Sequence, residues 1–200
     1  PTRLAPLLDE LRRAADRAVR LSNQLLTLAR AEPSARVAEP SRCELRATVF
    51  EAAGRWVPGA LAAGVVLGFV GGPAAGGPPI EVLGDPDLLA EAIHNLIDNA
   101  MKYRGGGRRV TVSVEADADG PARVRVVDDG PGIPVADRGR VLERFHRGPR
   151  PPGSAADTAV GTGLGLAIVA EIVRGHGGEV RIEDGPGGRG TAVTLVLPRV

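Results

Sequence analysis

Aromatic residues are almost absent from this sequence: they make up 2% of its 200 residues, so a buried core has to be built from Val, Leu, Ile and Ala. The single cysteine, Cys43, allows no intrachain disulfide and no cysteine-based metal cluster, which suits a reducing compartment. No apolar run reaches membrane-spanning length, and the first residues do not have the shape of a signal peptide. Because the formal net charge is only +1, we expect neither a nucleic acid partner nor a membrane contact by this chain.

Lysine and asparagine are also rare, and they concentrate in residues 85–103. This stretch predicts one helix, because Asp85 can cap it and Pro86 suits the first helical position. One side carries Leu89, Ile93, Leu96 and Ala100, and the other carries Glu91, Asn95, Asn99 and Lys102. Amides are poor helix formers, and a lone lysine among arginines suits a phosphate as a point charge. The polar side therefore indicates a phosphate site, with a chance lysine on an exposed helix end as the alternative.

Residues 1–30 carry a heptad repeat of Leu and Ala. Its positions alternate between spacings of three and four residues: Leu4, Leu7, Leu11, Ala14, Ala18, Leu21, Leu25 and Leu28. The repeat predicts a long helix whose apolar seam needs a partner helix in a coiled coil or bundle, with packing on its own domain as the alternative. Pro33 and Pro40 exclude a continuation of this helix, so residues 31–42 are interpreted as a linker.

From residue 43 onward the sequence alternates between strand and helix patterns. Strands are predicted at 65–70, 79–84, 108–117, 121–129, 178–184 and 191–198, and helices at about 45–61, 85–103, 136–144 and 163–174. The first two strands are interpreted as flanking a Gly/Pro turn. We therefore expect an α+β fold: a two-layer sandwich with a mixed, mostly antiparallel sheet covered on one face by helices, preceded by the long coiled-coil-type helix.

Two glycine motifs follow the polar helix. In the first, Asp128 extends a core-facing strand row, and Gly130 and Gly132 allow a backbone to approach a ligand closely, although an ordinary Asp-Gly turn has the same sequence. The second, residues 161–166, reads Gly-Thr-Gly-Leu-Gly-Leu and opens a helix, where free amides and the helix dipole can hold phosphate oxygens. It is not a Walker loop, because no Gly-Lys-Ser/Thr follows. The polar, Pro-rich stretch between the motifs indicates a mobile lid with Phe145 as its hydrophobic anchor, or a plain surface loop.

Taken in this order, the polar helix, the Asp-x-Gly-x-Gly turn, the Phe145 segment and the Gly-x-Gly-x-Gly turn resemble the ATP-binding domain of sensor histidine kinases. This domain belongs to the superfamily shared with gyrase-type ATPases, the ninety-kilodalton heat-shock chaperones and mismatch-repair ATPases. The likeness covers residues 43–198. Residues 1–30, which end in Leu-Ser-Asn-Gln-Leu-Leu-Thr-Leu-Ala-Arg, are similar to the second helix of the dimerisation and histidine-phosphotransfer hairpin of these kinases. The resemblance implies that hairpin helix at 1–30, a linker at 31–42 and an ATP-binding catalytic domain at 43–200.

The resemblance also implies ATP and Mg²⁺ as ligands and assigns roles to individual residues. Asn99 would coordinate Mg²⁺ with the help of Asn95, and Lys102 would contact the phosphates, so that Asn95 and Lys102 take part in catalysis. Asp128 would accept the adenine amino group and so select adenine over guanine. The other implied nucleotide-binding residues are Tyr103, Gly130, Gly132, Ile133, Arg147, Gly161, Thr162, Gly163, Leu164, Gly165, Leu166 and Thr191.

The residue at position 95 indicates whether the phosphate would be transferred to an acceptor or released by hydrolysis of ATP. Hydrolytic members of the superfamily carry a water-activating Glu one turn before the metal-binding Asn, whereas an amide cannot act as a general base. The phosphate would then pass to a histidine, typically followed by Glu or Asp and shortly by Pro. His94, His146 and His176 do not have that context, so we expect the acceptor upstream of Pro1.

The sequence thus predicts the ATP-binding domain of a two-component sensor histidine kinase, a protein-histidine kinase. It would form a homodimer through the N-terminal helix and relay phosphate to a response-regulator receiver domain. The parent protein would lie in a bacterial membrane, with this domain in the cytoplasm. The alternatives are a hydrolytic ATPase of the superfamily, a serine kinase acting on an anti-sigma-factor antagonist, and a degenerate, non-catalytic interaction module.

Overall fold

The computed structural model describes residues 4–31, 41–72, 76–117, 120–146 and 161–200. The helices of this part are α1 (Leu4–Ala31), α2 (Leu45–Gly54), α3 (Val57–Ala62), α4 (Pro86–Tyr103) and α5 (Gly165–Gly175). The strands are β1 (Ser41–Glu44), β2 (Val66–Val70), β3 (Glu81–Gly84), β4 (Arg109–Ala116), β5 (Ala122–Asp128), β6 (Glu179–Asp184) and β7 (Thr191–Leu197). Short 3₁₀ turns lie at Val135–Asp137, Arg140–Leu142 and Pro186–Gly188.

The main sheet has the strand order β2-β4-β5-β7-β6. Strand β2 runs parallel to β4, and the other neighbours in this sheet are antiparallel. A separate two-stranded ribbon pairs β1 with β3 in antiparallel register, from Ser41 opposite Gly84 to Glu44 opposite Glu81. The predicted α+β class, with a mixed and mostly antiparallel sheet, is confirmed.

One face of the main sheet is buried beneath α2, α4 and α5. It is formed by alternate residues of the three central strands: Val110, Val112, Val114, Ala122, Val124, Val126, Val193, Leu195 and Leu197. In β4 and β5 the intervening residues, such as Thr111, Ser113 and Arg125, are only partly buried, whereas Ala192 and Thr194 of β7 are buried as well. Because side chains alternate across a strand, the single buried face of β4 and β5 gives these two segments their clear period of two in the sequence.

Helix α4 crosses this face and begins as predicted. The Asp85 side chain accepts hydrogen bonds from the backbone N–H groups of Asp87 and Leu88, at 2.9 and 3.2 Å, and Pro86 occupies the first turn. A cap of this kind satisfies amides that a helix otherwise leaves without partners. The predicted apolar side of the helix, Leu89, Ile93, Leu96 and Ala100, is buried. The opposite side is therefore directed away from the sheet.

Helix α1 packs on the rest of the fold only near its C-terminal end. Leu28 and Ala31 are each 4% exposed and belong to the core, whereas the earlier seam residues Leu7, Leu11, Leu21 and Leu25 are exposed. The long helix is confirmed, and a partner helix along its seam stays a prediction. No helix in the described ranges is both long and apolar enough to span a membrane.

Several local predictions differ from the structure. The helix expected at 45–61 is split into α2 and α3, because Pro58 starts a new helix instead of continuing the first. The short helix expected at 136–144 consists of two 3₁₀ turns. Strands β2 and β3 do not pair with each other, and Ser41 and Arg42, assigned to the linker, lie in β1. Residues 32–40 and 147–160, which include most of the linker and the expected lid, lie outside the described residues.

Candidate functional site

The N-terminus of α5 lies against the polar side of α4. A Cβ atom added to Gly165 would be 3.3 Å from the Asn95 Oδ1 atom and 3.3 Å from the Asn99 Nδ2 atom. Both amides therefore face the first residue of α5, and a larger side chain at Gly165 would press on them. The N-cap residue Leu164 has no side chain that can bond the first amides of α5. These amides and the helix dipole are thus left to an acceptor from outside the helix.

Asn95 is held in one orientation. It is 6% exposed, and its Nδ2 group donates to the Glu91 backbone oxygen at 2.9 Å and to Glu91 Oε1 at 3.1 Å. Because both amide hydrogens are directed at Glu91, the Oδ1 atom is the one that faces Gly165. Asn95 can therefore offer a lone pair at the site but cannot remove a proton from water.

Asn99 and Lys102 continue the polar side of α4 toward its end. Asn99 is half-buried, and its amide has no hydrogen-bond partner among the residues that the structure describes. The Lys102 ammonium pairs with the Asp98 carboxylate one turn earlier, with 37% and 32% of the two side chains exposed. Asp98 was not identified from the sequence, although the i, i+4 spacing of an acid before a lysine is the signal that could have found it.

The end of α4 connects this region to both glycine motifs. A Cβ atom on Gly161 would lie 2.6 Å from the Tyr103 hydroxyl oxygen, so Tyr103 lies directly against the start of the Gly-x-Gly-x-Gly turn. A Cβ atom on Gly130 would lie 3.0 Å from the Arg104 Cα atom. The two motifs, which are far apart in sequence, are therefore brought to one helix end.

Asp128 closes β5 and is the centre of the second part of the site. Its Oδ1 atom accepts hydrogen bonds from the backbone N–H groups of Gly130, at 2.9 Å, and Thr191, at 3.3 Å. Burial raises the pKa of the Asp128 carboxyl, and the bonds from Gly130 and Thr191 oppose that rise. With Oδ1 occupied by the backbone, Oδ2 is the oxygen available to a ligand. Thr191 therefore lies beside Asp128, and the roles of both residues toward a ligand stay predictions.

Glycine is required around Asp128 by close backbone contacts. Gly132 has a φ of +83°, and a Cβ there would lie 3.0 Å from the Gly190 carbonyl oxygen. A Cβ on Gly190 would lie 1.8 Å from the Asp128 carbonyl oxygen, which no side chain can tolerate. Gly190 was missed by sequence reasoning, and its position directly before Thr191 was the available signal. Ile133 is half-buried beside this turn.

The Gly-x-Gly-x-Gly turn is joined to the Phe145 segment. The Phe145 N–H group donates to the Gly163 carbonyl oxygen at 2.9 Å, and a Cβ on Gly163 would lie 2.9 Å from the Phe145 carbonyl carbon. Phe145 itself is 64% exposed and has a φ of +64°, so the expectation that it anchors a lid by burial is wrong. Its role here is a backbone contact. Arg147 lies outside the described residues.

The two leucines of the turn, unlike its glycines, have side chains that pack in or against the core. The Leu164 side chain is completely buried in the core, and Leu166 packs against the same core. Only their backbone groups are therefore placed to meet a ligand. Thr162 is half-buried, and its hydroxyl oxygen lies 3.4 Å from the Leu164 amide, from which it accepts a hydrogen bond.

Two of the three histidines have structural partners. His94 Nδ1 accepts a hydrogen bond from the Trp56 indole N–H at 2.8 Å, and burial lowers the pKa of His94. His176 Nε2 accepts from the Asp85 amide at 3.0 Å, so its Nδ1 carries the proton and donates to the Ile172 carbonyl at 2.7 Å. These contacts explain both residues without a role in phosphate transfer.

A divalent cation would have to be held here by amides and phosphate oxygens. No group of three or more His, Cys, Asp and Glu residues in the described part of the chain could hold a metal ion. Mg²⁺ binds through few protein oxygens and keeps waters and phosphates around it, so the unpaired Asn99 amide fits that requirement. The chemistry of this donor set is compatible with a metal that arrives with a nucleotide.

Comparison with protein families and with curated proteins gives the same answer about the family that this chain resembles. Residues 84–200 match the family described as histidine kinase-, DNA gyrase B- and HSP90-like ATPases. Signal transduction histidine-protein kinase/phosphatase MprB from Mycobacterium sp. (strain KMS) is 46% identical over 121 residues, which cover 59% of this chain and 22% of that protein. The MprB from Mycolicibacterium smegmatis is 43% identical over 121 residues, covering 59% of this chain and 24% of the relative. The chain thus spans less than a quarter of the length of these curated relatives.

Solved structures give the same picture for the fold. A mycobacterial sensor histidine kinase MprB structure has a TM-score of 0.63 and 32% identity and covers 80% of this chain and 97% of the other. Full-length ShkA in complex with AMPPNP has a TM-score of 0.74 and 28% identity and covers 98% of this chain and 39% of the other. The ATP-binding domain of PrrB from Mycobacterium tuberculosis has a TM-score of 0.62 and 26% identity, covering 82% of this chain and 99% of that chain.

Proposed function

Because this chain belongs to the family of histidine kinase-, DNA gyrase B- and HSP90-like ATPases, we propose that it is the ATP-binding domain of a two-component sensor histidine kinase with one hairpin helix attached. The observation that supports this proposal most directly is that the Asn95 and Asn99 amides face the N-terminus of α5, which no side chain caps. The names of the similar proteins, MprB and PrrB among them, support the same class.

The triphosphate would lie between α4 and the Gly-x-Gly-x-Gly turn. Backbone amides at Gly163 and Gly165 would donate to phosphate oxygens, and Lys102 would exchange part of its pairing with Asp98 for a phosphate. Asn99 would hold Mg²⁺, which neutralises charge on the phosphates when bound. Arg147 remains a proposed phosphate contact from the sequence alone.

The adenine base would be recognised by Asp128. Its Oδ2 atom would accept the exocyclic amino group, while Gly130 and Gly132 keep the wall beneath the base free of side chains. Thr191 and Ile133 would complete this part of the site, and Tyr103 would line the nucleotide from the end of α4. A carboxylate acceptor at this position selects an amino group over the guanine carbonyl.

Transfer to an acceptor is favoured over hydrolysis by the side chain at position 95. Asn95 cannot activate water, and the Glu91 carboxylate one turn earlier is engaged by the Asn95 amide. The acceptor would be a histidine upstream of Pro1, on the first helix of a dimerisation hairpin whose second helix is residues 1–30. A response-regulator aspartate would then receive the phosphate.

The remaining proposals concern the whole protein. The exposed leucines of α1 would pair in a homodimer, residues 31–42 would connect the helix to the catalytic domain at 43–200, and a sensor region would anchor the parent protein in a bacterial membrane. In that arrangement this domain would lie in the cytoplasm.

The test is calorimetric titration of this chain with ATP and with GTP, each with and without Mg²⁺. We expect binding that is selective for ATP and strengthened by Mg²⁺, and then phosphorylation of the missing hairpin helix supplied in trans. A folded chain that binds no nucleotide would favour a degenerate interaction module. Rapid phosphate release without any acceptor would favour a hydrolytic ATPase.

A further inference from the structure

A side chain of α1 reaches the Gly-x-Gly-x-Gly turn. The Thr162 hydroxyl donates a hydrogen bond to Gln24 Oε1 at 2.7 Å, across 138 positions of sequence. The same hydroxyl oxygen accepts from the Leu164 N–H group at 3.4 Å. Thr162 therefore links the long N-terminal helix to the backbone of the turn that precedes α5.

Gln24 belongs to a packed face of α1. The residues that share this face, at spacings of three and four along the helix, are Gln24, Thr27, Leu28 and Ala31. Leu28 and Ala31 are buried, and Gln24 and Thr27 are half-buried, whereas the adjacent Asn23 is exposed. Arg30 of the same helix lies 3.8 Å from the Asp85 carboxylate. The Gln24 contact is thus part of a docked surface, which shares only Leu28 with the heptad seam, and the seam residues Leu21 and Leu25 stay exposed.

We propose that Gln24 is a positioning residue that holds Thr162, and through it the Gly163–Gly165 amides, in the conformation that receives the nucleotide phosphates. This inference rests on the proposed ATP site. Glycine-rich backbone loses more conformational freedom on ordering than other backbone, so a turn that is fixed in advance binds its ligand at a lower entropic cost. Docking of α1 and binding of the triphosphate then favour each other.

The experiment compares variants of the full chain by calorimetry with ATP and with adenosine, which lacks phosphates. Gln24→Met keeps the length of the side chain and its helix propensity but removes the acceptor, and Thr162→Val removes the donor. We expect each to weaken ATP binding by about two- to tenfold, the range of one hydrogen bond, and to leave adenosine binding unchanged. Thr162→Val also removes the acceptor of the Leu164 N–H group, so it can lose more affinity than Gln24→Met. The double variant should therefore be no weaker than Thr162→Val alone, because the Gln24 bond is already absent there.

Two controls accompany these variants. Asn23→Ala alters an exposed neighbour on the same helix and should keep wild-type affinity for both ligands. Thr162→Ser keeps the hydroxyl and should restore most of the ATP affinity that Thr162→Val loses. If Gln24→Met does not fold, Gln24→Leu makes the same comparison, because it removes the acceptor and leaves the Thr162–Leu164 bond in place.

The outcomes separate this inference from the proposed function. If the wild-type chain binds ATP and Gln24→Met binds it equally well or more tightly, the positioning role is overturned while the ATP site stands. Equal losses for ATP and adenosine would show that Gln24 supports the fold in general, which also overturns the proposal. A wild-type chain that binds no ATP would overturn the proposed function and this inference together.

Discussion

Replacement of Asp128 by Asn tests base recognition with a minimal change of shape. In the wild-type chain Oδ1 is occupied by the Gly130 and Thr191 amides, so the ligand would meet Oδ2. An asparagine can keep the same two backbone bonds through its own Oδ1. It then presents an N–H donor where the carboxylate presented an acceptor, and this donor would face the amino group of adenine.

The expected loss of affinity follows from that exchange. A hydrogen bond to a charged acceptor contributes about 1.5–3 kcal/mol, and a donor left against another donor adds a further penalty of about 1 kcal/mol. A total of about 2.5–4 kcal/mol corresponds to an ATP affinity that is lower by about 60- to 700-fold. Guanine carries a carbonyl oxygen at the equivalent position, so the ratio of GTP to ATP affinity should rise.

The same substitution should not destabilise the protein without ligand. Burial raises the pKa of Asp128 above its ordinary value of 3.8, so the folded state binds the carboxyl proton more tightly than the unfolded state does. A group of this kind favours folding at low pH and loses that contribution as the pH rises through its raised pKa. At neutral pH the ionised, half-buried carboxylate therefore contributes less to folding than its neutral form would. We expect Asp128→Asn to keep or increase the melting temperature there.

The assay is calorimetry with ATP and GTP, combined with thermal unfolding followed by circular dichroism. Asp129→Asn is the matched control, because Asp129 is exposed and binds the Arg109 amide through an oxygen that asparagine retains. It should bind ATP as the wild-type chain does. An Asp128→Asn variant with unchanged ATP affinity would refute the adenine role. A variant that loses its fold would refute the pKa-based stability argument.

Three further predictions follow from other parts of the site. Asn99→Ala should bind ATP equally with and without Mg²⁺, and metal dependence that survives in a titration would place the metal elsewhere. Asn95→Glu supplies a general base, and Glu91→Gln is combined with it to avoid two facing carboxylates. This double variant should raise ATP hydrolysis without an acceptor by at least about tenfold. An unchanged rate of phosphate release would count against the argument that Asn95 favours transfer over hydrolysis. His94 has a pKa lowered chiefly by burial, so its contribution to stability is present above its ordinary value of 6.5 and is lost as the pH falls through the lowered pKa. The sole tryptophan, Trp56, donates to His94, so its fluorescence should change over that pH range, and a flat signal would show that the bond is absent.

Much of the fold could be predicted because the informative segments carry strong local signals. Helix α4 has a capping Asp85, a first-turn Pro86 and a full apolar side, and all three features act within the helix itself. Strands β4 and β5 alternate cleanly because they bury only one face. The place of Asp128 at the end of β5 could be predicted because that alternation shows which residues of the strand share a face.

The features that were missed depend on contacts between distant segments. The β1–β3 ribbon pairs residues 41–44 with 81–84, and strands of four residues have too little period to reveal their partner. The parallel pairing of β2 with β4 likewise follows from tertiary packing, and no turn marks it in the sequence. Phe145 was expected to be buried because aromatic residues usually are, yet its backbone, and not its ring, makes the contact with Gly163.

The site contains groups that lack a favourable partner in the absence of a ligand. Asp128 is a half-buried carboxylate with a raised pKa, and Gly163 supplies a left-handed turn at the entropic cost of glycine. Leu164 stands at the N-cap of α5, where Ser, Thr or Asp would have satisfied a free amide. A ligand that carries phosphates and an exocyclic amino group would supply the missing interactions to the α5 amides and to Asp128. If it binds only the folded state, it should raise the stability of the domain by an amount that grows with the logarithm of its affinity.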